Sequence, residues 1–257
     1  MGANSSGALY VTRLELDREG LDCACLPESE EYLRSLPVVK HLGALELANV
    51  TFFVGENGTG KSTLIEAIAL GCGFNAEGGS RNFRFSTRSS HSELYKFLYL
   101  SRTNRRPRDG YFLRAESFFN VATEIEALDA QPAASPKLIE GYGGRSLHEM
   151  SHGESFFSLM TNRFFGNGLY ILDEPEAALS PSRVMAMLTL MRDLCERDSQ
   201  FIISTHSPIL LAYPGARIYE LSDGAISEVS YRETSTYRTM KQFLDQPERM
   251  AKYLTES

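Results

Sequence analysis

The sequence predicts an α/β fold, with a mostly parallel core sheet, an antiparallel β subdomain and a helical middle region. Three observations predict it. Short apolar runs at residues 169–172 and 201–204 have the character of strands buried on both faces of a parallel sheet. Helical patterns follow strand-like runs, at 61–70 and 181–195, giving the alternation of a parallel architecture. Alternating or turn-separated segments at 9–16 and 217–231 read as antiparallel pieces.

Taken in order, residues 9–16 alternate and read as a strand, and 45–47 and 50–54 read as two more. Residues 61–70 are a helix with apolar positions at Leu64, Ile65, Ile68 and Ala69, stopped by Gly71 and Gly73. The stretch from 74 to 110 is polar and rich in Ser, Arg and Asn, and reads as loops around one apolar piece at 94–100. A strand at 111–114 and a helix at 117–128 follow, then loops at 130–137 and 140–146. Pro181 opens a helix reaching Cys195, with Ser180 as its expected cap. A hairpin turns at Asp223-Gly224, and a C-terminal helix covers about 235–246. One domain over 1–257 is expected. Its core spans 8–73 and 168–230, its helical region with a basic loop spans 74–167, and C-terminal helices occupy 231–257.

The chain has 257 residues, 42% apolar and 23% charged, an ordinary globular composition able to bury a sizeable core. A net charge of −7 excludes a molecule built as a whole to coat nucleic acid. The average hides an asymmetry: residues 81–108 hold eight Lys/Arg against one Glu, leaving −14 on the remainder. No stretch approaches the roughly 20 apolar residues of a membrane span, so direct membrane insertion is not expected. The N-terminus lacks a secretory pattern, and Cys23, Cys25, Cys72 and Cys195 make neither a disulfide framework nor a zinc spacing. A cytoplasmic location is expected.

Four short stretches carry chemistry. Gly55-Glu56-Asn57-Gly58-Thr59-Gly60-Lys61-Ser62-Thr63 has the spacing of a phosphate-binding loop, with an apolar strand before it and a helix after. Its glycines let successive N–H groups turn toward phosphates, and the helix N-terminus favours negative charge. Lys61 is expected to reach the β- and γ-phosphates, and Ser62 to ligate Mg²⁺. Asp173 ends the 169–172 run, where a carboxylate can bind Mg²⁺, and Glu174 can orient or deprotonate an attacking water. That pair argues against a kinase, which delivers the phosphoryl group to a substrate hydroxyl. His206 lies just past the 201–204 strand, placed to touch the γ-phosphate. Ser151, Gly153 and Glu154, in "MSHGESFF", read on their own as a capped helix start able to bind an anion, or simply as a cap.

In this order the four stretches resemble the ATP-binding-cassette (ABC) ATPases: phosphate loop, signature, Walker B strand and switch histidine. The resemblance covers about 50–210. The Gly-Glu form of the signature and "THSP" are more similar to chromosome-maintenance and repair ATPases, and to small stand-alone ATPases, than to transporter motors. Only 78 residues separate Gly71 from Met150, without sustained heptads, so the coiled-coil arms of the chromosome-maintenance relatives have no counterpart here. The superfamily's middle-region Gln also has none. Glu116 stands near that place and is the expected substitute as a Mg²⁺ ligand. Ser180 stands where the D-loop usually has Asp.

The resemblance implies an ATP-sandwiched head-to-tail homodimer. Lys61, Ser62 and Asp173 of one copy hold MgATP, Glu174 acts on water, and His206 with the partner's Ser151 clamps the γ-phosphate. The output is conformational work on a protein client in a soluble assembly, linked to nucleic acid in repair or defence. The alternative is the motor subunit of an ABC transporter whose membrane subunit is a separate chain. The segment 81–108 reads either as a nucleic-acid contact or as a loop docking on acidic protein surface. Tyr10 and Tyr32 are candidates for stacking on adenine, though a Tyr at either position is more often plain packing, and neither is assigned.

Overall fold

The computed structural model describes residues 9–80, 92–115, 118–129, 137–142, 144, 146, 148–149, 151–222 and 224–256. In chain order these form β1 (Val11–Leu16), α1 (Arg18–Cys23), α2 (Pro37–His41), β2 (Leu45–Glu46), β3 (Val50–Gly55), α3 (Lys61–Gly71), β4 (Gly79–Ser80), β5 (Leu98–Arg102) and β6 (Asp109–Arg114). Then come α4 (Phe118–Asp129), α5 (His152–Arg163), β7 (Gly168–Asp173), α6 (Pro181–Cys195), β8 (Gln200–Ser204) and α7 (Pro208–Leu211). The chain ends in β9 (Arg217–Leu221), β10 (Ile226–Glu228), α8 (Ser235–Asp245) and α9 (Pro247–Thr255).

Among the described residues the central sheet has the order β10-β9-β3-β8-β7-β6-β4. The five inner strands run parallel, and β10 and β4 pair antiparallel at the two edges. A second sheet, β2-β1-β5, is wholly antiparallel. The expected architecture, mostly parallel with an antiparallel piece, is the one found.

Strands β3, β7 and β8 are buried along their whole length, which is why they read as apolar runs without alternation. Alternation survives as a choice of layer. Phe53, Phe112, Ile171 and Ile202 join Leu64, Ile65 and Ile68 of α3 and Leu14 and Leu98 of the small sheet. Phe52, Tyr111, Leu172 and Ile203 face the opposite layer, with Val121, Ile125, Phe156, Leu159, Val184 and Met187 of α4 to α6. Helix α3 is thus covered by a sheet on either side, and its apolar residues recur all round rather than in one stripe.

Gln200 joins the two sheets. It is fully buried; its Oε1 accepts from the N–H groups of Tyr10 and Val11 at 2.9 and 3.0 Å. Its Nε2 donates to the carbonyls of Val11 and Ala48 at 2.7 and 3.1 Å.

Differences from the expected elements are local. The 94–100 piece divides into a 3-10 turn, Glu93–Phe97, and the edge strand β5. Helices α1 and α2 fall where no element was expected; at six and five residues they are too short to show a period. The C-terminal helix continues as a pair, because Pro247 ends α8 and begins α9. Ser180 occupies the cap position of α6, but its hydroxyl meets that of Ser182 at 3.0 Å rather than a backbone amide. Among the described residues no helix is long and apolar enough to cross a membrane. The four cysteines are free.

Candidate active site

Register in the central sheet brings three loops to one edge. Phe53 and Asp173 both lie opposite Ser204, so the ends of β3, β7 and β8 are adjacent. The 55–60 loop, the acid pair and His206 leave the sheet side by side.

The loop takes its shape from glycine. Gly58 and Gly60 have φ of 85° and 92°, in the left-handed region. A Cβ at Gly60 would lie 2.5 Å from Val38, so the 36–38 segment packs directly on this turn. Val38 N–H donates to the Thr59 carbonyl at 3.0 Å and fixes that contact. The first-turn amides of α3, at Lys61, Ser62 and Thr63, have no acceptor within the helix, a set of donors suited to an anion. The Lys61 Nζ donates to the carbonyls of Gly55 and Glu56 at 2.7 and 2.8 Å. Burial pulls its pKa down, against Glu174, Asp173 and Glu176, which pull it up.

Asp173 is buried at the end of β7. Its Oδ1 accepts from Ser204 Oγ at 2.5 Å and from Ser62 Oγ at 3.2 Å, and its Oδ2 lies 3.7 Å from Arg114 Nε. Burial raises its carboxyl above the usual range, and Ser204, Arg114 and Ser62 only partly offset this. A carboxyl raised in the folded state stabilises the fold below the unfolded pKa, and that contribution is lost as pH rises through the folded value. Asp173→Asn should therefore raise the thermal midpoint of the ligand-free protein near pH 7.5, with the difference vanishing in acid. A lower midpoint at pH 7.5 would mean that the charged bonds outweigh desolvation.

Glu174 is a non-glycine residue in the left-handed region, φ 49° and ψ 53°, a conformation costing about 1–2 kcal/mol. Its amide donates to both the carbonyl and the hydroxyl of Ser204 at 3.1 Å, which holds it there. Such outliers gather at sites that use them. Its Oε1 is 3.3 Å from His206 Nε2, and both side chains are about one third exposed.

Three neighbours escaped the sequence reading. Ser204 tethers both Asp173 and Glu174. Arg114, at the end of β6, lies between Glu66, at 2.5 Å, and Asp173. Glu176 accepts from Thr205 Oγ1 at 2.7 Å and from His206 N–H at 2.5 Å, so it fixes the backbone that carries the histidine. Burial raises its pKa as well. The only sequence signal for Glu176 is its place as the third acid in "DEPE".

The donor set suits a small hard cation. Four carboxylates, Glu66, Asp173, Glu174 and Glu176, face two cations, Lys61 and Arg114, and Ser62 Oγ with Asp173 Oδ1 makes a compact pair of oxygen ligands. Among the described residues no cluster of three His, Cys, Asp or Glu could hold a metal alone. Mg²⁺ needs no such cage, because it takes one or two protein ligands with phosphate and water. Glu116 lies outside the described residues. Tyr10 is buried and donates to the Asp198 carbonyl at 2.8 Å, away from this edge, while Tyr32 sits in the 3-10 turn Glu28–Ser35 and is 45% exposed.

Ser151 caps α5 through a capping box. Glu154 Oε2 accepts from the Ser151 hydroxyl at 2.8 Å and its amide at 3.1 Å, and this holds the Glu154 carboxyl below the usual range. Ser151 is exposed, and no hydrogen bond or ion pair links it to residues 55–63 among the described residues. Gly153 lies against the 3-10 turn Pro175–Ala178: a Cβ there would stand 2.6 Å from the Ala178 carbonyl. Gly153→Ala should force α5 off that turn and cost about 1–3 kcal/mol of stability in denaturant melts. An unchanged midpoint would show that the two segments separate freely.

Two stretches match family models. Residues 43–126 match one described as "AAA domain", and residues 137–212 match "AAA domain, putative AbiEii toxin, Type IV TA system". The first contains the phosphate loop, and the second contains Ser151, Asp173, Glu174 and His206. Both stretches that carry the site are thus similar to AAA-type domains. Among solved structures the chain is similar to a nucleotide-free ATP-binding cassette from an ABC transporter, at 18% identity and a TM-score of 0.49, covering 93% of this chain and 97% of that one. It is also similar to the SMC head domain from Thermotoga maritima, at 16% identity and a TM-score of 0.45, covering 86% and 99%. None of the curated proteins matches the sequence. An AAA-type fold of this kind supports nucleotide binding and hydrolysis.

Proposed function

We propose that the protein is an ATPase whose working form is a head-to-tail pair of chains closed around ATP and Mg²⁺. The observation that carries this reading is a division of labour. Lys61, Ser62, Asp173, Glu174 and His206 converge at one edge, while Ser151, the other element suited to an anion, is exposed and makes no hydrogen bond or ion pair with any of them among the described residues.

In this reading residues 55–63 cradle the triphosphate, and Lys61 turns from the Gly55 and Glu56 carbonyls to the β- and γ-phosphates. Ser62 and Asp173 would hold Mg²⁺, which would supply positive charge to neutralise the phosphates. Glu174 orients the attacking water and takes its proton, and His206, on the backbone that Glu176 secures, contacts the γ-phosphate. Ser151, Gly153 and Glu154 of the partner copy close the site from the opposite side. The domain runs over 1–257, its core being 8–73 and 168–230. Closure on binding and release on hydrolysis do work on a protein client. The test is the oligomeric state of a hydrolysis-blocked variant with and without ATP, described in the Discussion.

A further inference from the structure

The loop from Arg102 to Arg108 holds four arginines in seven residues of a chain with 33 acidic and 26 basic side chains. Arg102, Arg105 and Arg106 line a cavity of about 560 Å³ together with Tyr10, Cys72 and Asn104. Leu169, near the start of β7, borders it, so it lies about 13 Å along the strand from Asp173, at the opposite end of the sheet.

The loop is shaped by its backbone and not by its cations. Thr103 N–H donates to the Tyr10 carbonyl at 3.1 Å, and Thr103 Oγ1 donates to the Leu9 carbonyl at 2.7 Å. Arg105 N–H bonds Thr103 Oγ1 at 3.3 Å, and Arg108 N–H bonds the Asn167 carbonyl at 2.9 Å. The guanidinium groups are therefore presented rather than consumed. Arg102 donates to the Gly71 carbonyl at the end of α3, and Arg105 has one exposed partner, Asp198, at 3.6 Å. Among the described residues no carboxylate pairs with Arg106 or Arg108.

We propose that this arginine loop binds the phosphodiester backbone of a nucleic acid. A guanidinium presents a planar fork of donors that matches the paired oxygens of a phosphate, and several forks on a pinned loop suit a repeating array of such groups. A protein partner is the poorer fit. Protein interfaces combine arginine with apolar or aromatic anchors, and none of the residues lining this cavity is an exposed large hydrophobic. The inference does not rest on the ATPase reading, because the loop and the acid strand lie at opposite ends of the sheet.

The test is fluorescence anisotropy of the full chain with a labelled DNA duplex of mixed sequence, about 30 base pairs long, and a single strand of equal length, over roughly 50–300 mM salt. Binding to either probe should weaken linearly on a log–log plot, with a slope of about −2 to −3 for three phosphate contacts. The triple variant Arg105→Ala/Arg106→Ala/Arg108→Ala should lose at least about tenfold in affinity and most of that slope, and the single Arg106→Glu about one unit of it. The thermal midpoint and ATP binding of both variants should match the parent. No binding to either probe at low salt, parental affinity in the triple variant, or equal competition by polyglutamate would each overturn the proposal.

Discussion

Glu174→Gln should lower ATP turnover by about 10²–10⁴-fold, the range of a lost general base, while leaving nucleotide affinity near that of the parent. The change keeps the shape of the side chain, and the backbone that fixes position 174 is held by Ser204 rather than by the Glu174 carboxylate. With turnover stopped, the closed state has no exit by chemistry. The variant should therefore elute as a dimer in ATP and Mg²⁺ and as a monomer without them. Parental turnover would remove Glu174 as the base. A variant that fails to turn over but stays monomeric at saturating ATP would leave the site intact and remove the sandwich. Lys61→Ala separates these from a binding defect, since it should abolish nucleotide binding outright.

Gln200→Ala should be the most damaging single change to stability outside the site, at about 3 kcal/mol. Its amide satisfies four backbone groups in two segments, the two N–H groups and one carbonyl of residues 10–11, which are buried, and the part-buried carbonyl of Ala48. Truncation removes the Gln200 partner from all four, although the Ala48 carbonyl keeps the Thr51 hydroxyl at 3.5 Å, and each unpaired buried group costs about 1–3 kcal/mol unless water replaces the amide. Urea melts with a parental m-value should show the midpoint fall. Gln200→Glu, which keeps the acceptor but loses the donor pair and buries a charge, should be no better. A loss under about 0.5 kcal/mol would mean that the two sheets are joined by apolar packing alone.

The legible parts of this fold were those where one constraint acts over many neighbouring residues. Strands β3, β7 and β8 are buried on both faces, so an apolar run could mean little else, and each is followed by a loop of recognisable chemistry. The phosphate loop is local in sequence, and its glycines are required by its own backbone angles. Ser204, Arg114 and Glu66 could not be read in that way. Ser204 and Arg114 meet Asp173 only through sheet register, Glu66 meets Arg114 only because α3 packs on the sheet, and a serine at a strand end is no different in sequence from any other. Glu176 is intermediate: it stands in a conspicuous acidic run, but its hold on His206 exists only because β7 and β8 are neighbours. The edge strand β5 was obscured because half of its apolar run is spent on a 3-10 turn.

Gly153 leaves no room for a side chain between the start of α5 and the turn that follows Glu174. In the proposed pair, the serine-led surface that reaches across to one nucleotide is therefore in van der Waals contact with the segment leaving the opposite nucleotide's acids. A shift at either of the two pockets would then be transmitted to its twin, so the pair would not act as two private events.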